Sequence, residues 1–110
     1  MNIAFICSAN AQRSPTAAAL FDKSGHEVKS AGLDFRLCQQ NRSNFCTEQL
    51  LEWADKIFVF ETIHTLKIMQ FGEYAAKVVN LKIDDIYPKD DPELISILVN
   101  HEALIELLNS

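Results

Sequence analysis

A cysteine and an arginine stand six positions apart in the stretch Cys7-Ser8-Ala9-Asn10-Ala11-Gln12-Arg13-Ser14-Pro15, between an apolar run and an alanine-rich one. Each of these residue types answers a separate chemical need. A phosphomonoester dianion repels an anionic nucleophile, so attack at phosphorus requires donors that neutralise the equatorial oxygens as the transition state forms. A planar, bidentate guanidinium such as that of Arg13 does this better than an ammonium group. Cys7 supplies the nucleophile, because the thiolate is the reactive form and an electropositive setting favours it. Ser14 can donate its hydroxyl to that sulfur. The backbone N–H groups of Ser8, Ala9, Asn10, Ala11 and Gln12 can converge on one anion, and a helix starting at this point adds its partial positive charge. A lone cysteine at a strand end is usually a small apolar core residue. Arg13 and the helix start turn the reading toward a phosphate trap with a nucleophile inside it.

The elements that must position this loop are legible from the hydrophobic pattern. Residues 2–6 read as a short buried strand, and residues 15–21 as a helix with Pro15 at its first position and Ser14 or Arg13 as its cap. A turn at Ser24-Gly25 leads to a second strand over 27–31, and the polar stretch 39–44 reads as a loop. Thr47 caps a helix over 48–54, and residues 56–60 form a buried third strand. Thr62 caps a further helix that presents Ile63, Leu66 and Met69 and ends at Gly72. Residues 78–81 are the fourth strand. The last helix takes Asp91 as cap and Pro92 as first residue, with Leu94, Ile95, Leu98, Val99, Ile105 and Leu108 on one face. Such alternation predicts a single three-layer α/β domain over residues 1–110, a four-stranded parallel sheet with helices on both faces. Its ligand site lies where the strands end.

In that arrangement the loop after the fourth strand meets the loop after the first. Lys82-Ile83-Asp84-Asp85-Ile86-Tyr87-Pro88 then brings a carboxyl group to the leaving oxygen of a phosphate ester, where a protonated acid spares that oxygen from departing as a bare anion. The bland alternative is a solvated acidic turn, since Asp84, Asp85, Asp90 and Asp91 crowd one stretch. Tyr87 either walls the cleft or packs against the last helix. His64 reads as a surface or helix-packing residue.

The chain resembles the low-molecular-weight protein tyrosine phosphatases, whose loop runs cysteine, five residues, arginine, serine and usually proline. Ser30-Ala31-Gly32 is similar to an element after the family's second strand. The stretch from Ala54-Asp55 to Phe60 resembles its third strand with the preceding pair, and Trp53 before that pair is similar to a shortened, phosphatase-like branch. His64 and Leu66 fall on the family's helix after that strand, and Asp91-Pro92-Glu93-Leu94 on the opening of its last helix. Asp85-Ile86-Tyr87 resembles the family's aspartate-x-tyrosine element, which carries the general acid, and selects Asp85 over Asp84. The resemblance implies a cysteine-dependent phosphatase working through a phosphocysteine on Cys7, with Arg13 and the loop binding the phosphoryl group and Tyr87 on the substrate. Two departures stand out. Typical members are longer, the missing part falling between Gly32 and Trp53, where the family has a helix and an aromatic wall, and Ala9 stands where glycine is frequent.

Composition narrows the classes. At 110 residues, 48% hydrophobic and net charge −5, the chain has the size of one compact domain and lacks the basic footprint of a nucleic-acid binder. The apolar N-terminus is too short for a signal peptide and no run matches a membrane span, so the expected location is cytoplasmic, with no membrane partner. Three cysteines without secretion signals read as free thiols. No metal or other cofactor is expected, because the loop and arginine supply the charge stabilisation. The expected partners are a phosphorylated protein or a small aryl phosphate, with inorganic phosphate as product. Three alternatives stay open. One is an arsenate reductase-like thiol enzyme with Cys38 and Cys46 as resolving pair. Another is a phosphocysteine carrier, against which Arg13 counts. The third is a non-catalytic phosphate-binding module.

Overall fold

A computed structural model describes residues 1–22 and 25–108. Ser24 of the expected turn and the side chain of Leu108 lie outside the described residues. The elements run β1 (Asn2–Cys7), α1 (Arg13–Phe21), β2 (Glu27–Gly32), α2 (Phe35–Asn41), α3 (Glu48–Trp53), β3 (Lys56–Val59), α4 (Thr62–Met69), β4 (Val78–Asn80), α5 (Pro92–Val99) and α6 (Glu102–Leu108). All strand pairs are parallel, in the order β2-β1-β3-β4.

The period-2 alternation of β1 divides the core. Ile3, Phe5 and Cys7 face α1, α5 and α6 and pack with Ala17, Phe21, Leu94, Leu98 and Leu104. Ala4 and Ile6 face α3 and α4 and pack with Leu51, Ile57, Val59 and Ile68. Phe5 stacks between Phe21 and Phe58, with ring centroids 5.9 and 5.4 Å away. With both faces covered, β1 and β3 are continuously apolar after their first residues, Asn2 and Lys56, as buried parallel strands are.

Several expected boundaries shift for local reasons. Residues 39–44 are not all loop, because Asp34 caps α2 by accepting from the Leu37 N–H at 3.0 Å, and Arg42, at φ +53, ends it. Thr47 caps α3 as read, accepting from the Leu50 N–H. The cap of α4 is Glu61 rather than Thr62, and the helix stops at Met69, short of Gly72. Its buried residues are His64 and Ile68, one turn apart, so Ile63, Leu66 and Met69 face outward. The last helix is two: Asn100 ends α5, and His101 accepts from the Ala103 N–H at the start of α6. The break rotates the inward stripe to Leu94, Leu98, Leu104 and Leu107, leaving Val99 and Ile105 exposed.

Candidate active site

β1 delivers Cys7 to the end of the sheet, level with Gly32 of β2. The five residues that follow curl back into α1, and the turn uses Asn10 at φ +50, a left-handed conformation that asparagine accepts more readily than most residues. The loop's first carbonyls point away from its centre. That of Cys7 accepts from the Leu33 N–H at 2.9 Å, that of Ser8 from the Asp34 N–H at 2.9 Å, and that of Ala9 from the Ser43 hydroxyl. A trans peptide sets each C=O and the following N–H on opposite sides, so these bonds turn the N–H groups of Ser8, Ala9 and Asn10 inward. Among the described residues, no protein acceptor takes the N–H groups of residues 9–12. Gly32 permits the close approach: a Cβ there would lie 2.5 Å from Cys38 Sγ and 2.6 Å from the Ser8 carbonyl oxygen.

Ser14 Oγ donates its one proton to Asn10 Oδ1 at 2.8 Å and lies 3.0 Å from Cys7 Sγ, whose thiol can donate to it. The expected serine cap is therefore not made. Gln12 is the N-cap residue of α1, without a side-chain cap bond, and Pro15 is the third helical residue, still in the first turn where its missing N–H costs no intrahelical bond. Arg13 is 1% exposed. Its Nη1 donates to the Ile83 carbonyl at 2.7 Å, its Nη2 pairs with Glu61 Oε2 at 2.9 Å, and its guanidinium lies over the Phe60 ring. Nε is buried and makes no hydrogen bond among the described residues. A buried donor in that state is one that a ligand would satisfy.

Cys7, Ala9, Ala11, Gln12, Arg13, Asn41 and Asp85 line one pocket of about 200 Å³. A larger groove of about 770 Å³ runs beside β2, but no residue of the loop lines it, whereas Cys7 and Arg13 both line the smaller one. The structure distinguishes the two aspartates. Asp85 Oδ1 lies 3.6 Å from Arg13 Nε, whereas Asp84 lines a separate depression with Asn80 and Lys82. Tyr87 does not line the pocket; its ring packs, partly buried, against the α1, α5 and α6 side of the core.

Sequence reasoning missed Glu61 and left His64 open between a surface and a helix-packing place. His64 is fully buried, not on the surface, and its Nδ1 accepts from the N–H groups of Phe60 and Glu61 at 3.2 and 3.1 Å. That assigns the proton to Nε2, which donates to Ser8 Oγ at 3.0 Å. Burial, aided by the Arg13 guanidinium, pushes the ring down to about 4, so it is neutral at neutral pH. The signal available was an acid and a histidine three residues apart at a helix start, the reach of a side chain bonding back to its cap.

The three cysteines are free and buried. Cys38 Sγ lies beneath the loop, 3.6 Å from the Ala9 carbonyl oxygen, and burial pushes its thiol up. Burial pushes Cys46, in the opposite core layer, up to about 12. Both shifts disfavour the thiolate that a resolving cysteine needs.

A parallel sheet ordered β2-β1-β3-β4, with cysteine, five residues and arginine between β1 and α1, is the build of the low-molecular-weight protein tyrosine phosphatases, and the likeness extends over nearly the whole chain. The structure of a YwlE mutant from Bacillus subtilis is 28% identical, with a TM-score of 0.65 and 98% of this chain and 93% of that one covered. A cysteine-to-serine mutant of YwlE arginine phosphatase, with a phosphorylated active-site serine, is 27% identical at a TM-score of 0.65, over 98% and 91%. A low-molecular-weight protein tyrosine phosphatase from T. tengcongensis is 20% identical at a TM-score of 0.73, over 99% and 97%. No protein-family model and no curated protein matches the sequence. No helix among the described residues is long and apolar enough to cross a membrane.

Proposed function

We propose that this chain is a phosphomonoester hydrolase acting through a phosphocysteine. The observation that carries the reading is the buried, unbonded Nε of Arg13 in one pocket with the Cys7 sulfur and the Asp85 carboxyl group. Cys7 attacks phosphorus as its thiolate, forming the S–P bond as the P–O bond breaks. Asp85 gives its proton to the departing oxygen and then, as the carboxylate, takes one from the water that cleaves the S–P bond and releases inorganic phosphate. Arg13 and the inward N–H groups of Ser8, Ala9 and Asn10 hold the transferred group throughout, and the Ser14 hydroxyl, turned from Asn10 Oδ1 to the sulfur, supports it both as nucleophile and as leaving group. The structural neighbour, a cysteine-to-serine mutant with a phosphorylated active-site serine, supports a covalent step on an active-site cysteine, for which Cys7 is the candidate here.

The deciding experiment is hydrolysis of a small aryl phosphate in the presence of a chelator. Wild-type protein turns it over and Cys7→Ser does not; equal rates would remove the covalent mechanism. One observation favours a second reading of the substrate. Among the described residues no aromatic ring lines the pocket, and its polar lining includes Gln12, Asn41 and Asp85, groups better matched to a guanidinium than to a phenol. With arginine phosphatases among the structural neighbours, protein phosphoarginine stands beside phosphotyrosine as the candidate, and peptides carrying one or the other separate them by kcat/KM.

A further inference from the structure

The loop that carries Asp85 is held to the start of α1 at three successive places. Arg13 Nη1 donates to the Ile83 carbonyl at 2.7 Å, and the Asp90 N–H donates to Thr16 Oγ1 at 2.9 Å. Between them stands Gln12. As the N-cap residue of α1 its side chain would ordinarily accept from the helix's free N–H groups, but it makes no such bond. With its amide oriented as the neighbouring acceptors require, its nitrogen donates to Asp85 Oδ1 at 3.1 Å and to the Tyr87 carbonyl at 3.3 Å. Gln12 thus belongs to both halves of the site, its backbone to the phosphate loop and its side chain to the acid loop.

We propose that Gln12 is the positioning residue for the general acid, a role that rests on the hydrolytic reading above. An amide donor on Oδ1 occupies that oxygen, so the proton is carried on Oδ2, the oxygen left free to meet the leaving group. It also fixes the rotation of a carboxyl group that is half exposed and otherwise has, among the described residues, only Arg13 Nε, at 3.6 Å, as a neighbour of opposite charge. Each fold-change in proton transfer depends on that geometry, because a general acid must stand within hydrogen-bond reach of its oxygen. Gln12 is itself exposed, so its replacement leaves the packed core untouched.

The test compares Gln12→Met and Gln12→Glu with wild type on phenyl phosphate and 2,4-dinitrophenyl phosphate. These substrates differ in how much the leaving oxygen needs a proton. The expected result is a loss in kcat/KM at least tenfold greater for phenyl phosphate, carried by kcat, with inhibition by inorganic phosphate within a few-fold of wild type for Gln12→Met. In the Asp85→Asn background the Gln12 effect disappears, since the group it positions is gone. Equal losses on both substrates, or a Gln12 effect that persists undiminished in Asp85→Asn, would overturn the proposal. A second measurement needs no turnover. The side-chain amide NMR signals of Gln12 shift on Asp85→Asn if the bond exists and stay in place if it does not. Were wild type to hydrolyse neither a phosphomonoester nor phosphoarginine, the hydrolytic reading would fail, and this signal would still decide the tie.

Discussion

The two walls of the pocket are attached to the phosphate loop by different means. The segment around α2 holds the loop through the loop's own carbonyls, with the Leu33 and Asp34 N–H groups and the Ser43 hydroxyl pulling three successive C=O groups outward. The acid loop is held by side chains of α1 and its cap residue, which reach across to a carbonyl, a carboxylate and an amide. One wall shapes the cradle proposed to receive an anion. The other carries the proposed proton donor. Damage to the first should therefore appear in phosphate affinity, and damage to the second in kcat for substrates with poor leaving groups.

The largest effects belong to the residues between the walls. Cys7→Ser is expected to bind inorganic phosphate while turning over no aryl phosphate, and Arg13→Lys to lose roughly 10²–10³-fold or more in kcat. Steady-state rates with phosphate titration check both, and circular dichroism shows whether the fold survives. Next comes the acid wall. Asp85→Asn should slow phenyl phosphate by roughly 10²–10⁴-fold while slowing a dinitrophenyl ester far less, and Asp84→Asn should be mild on both. Equal small effects would leave the proton donor unassigned and favour a binding module. On the cradle wall, Ser43→Ala leaves the Ala9 carbonyl without its hydroxyl donor, and one such bond is worth about 0.5–1.5 kcal/mol. The expected outcome is phosphate inhibition weakened by a few-fold to about tenfold with little change in leaving-group dependence. A changed leaving-group slope would mean the two walls are not separable.

A last effect, read in stability rather than in turnover, concerns the strut behind the loop. His64 is held near 4, below the ordinary 6.5 of an unfolded histidine, so between those values the unfolded chain binds a proton that the folded chain refuses. Its contribution to stability is complete above about pH 6.5 and declines as pH falls toward 4, by roughly 3 kcal/mol at most. Urea unfolding at pH 7.0, 5.5 and 4.5 should show a shallower decline for His64→Gln than for wild type. Parallel slopes would mean the buried ring does not govern this window.

Which of these residues could be seen in the sequence follows a physical division. Cys7, Arg13 and the Thr47 cap rest on local spacing, and their setting between a strand and a helix is a short-range pattern. The sheet was legible because strands buried on both faces are apolar without interruption. α2 was hidden because its only deeply buried residue is Cys38, so no apolar stripe marks it and its polar second half reads as loop. The exposed Ile63, Leu66 and Met69 misled for the opposite reason: an apolar stripe was present, but α4 turns His64 and Ile68 inward. Glu61, and the side-chain role of Gln12 beyond its backbone place in the loop, could not be read from sequence, since their partners, Arg13 and Asp85, are brought to them only by the meeting of loops from different strands.

Gly32 has a consequence for how such a site tolerates change. The strand, the sulfur of Cys38 and two residues of the loop converge on the volume of one methyl group. That point is a clearance fit, and added bulk there has nowhere to go except into the backbone that cups the anion. The outer edge of the same residue is gripped as well, its N–H by the Asn44 carbonyl and its C=O by the Cys46 N–H, both at 2.8 Å. Neither the strand nor the loop can therefore drift without carrying the other along. The rim of the binding cradle inherits the stiffness of the sheet, although only a few short segments of chain enclose it.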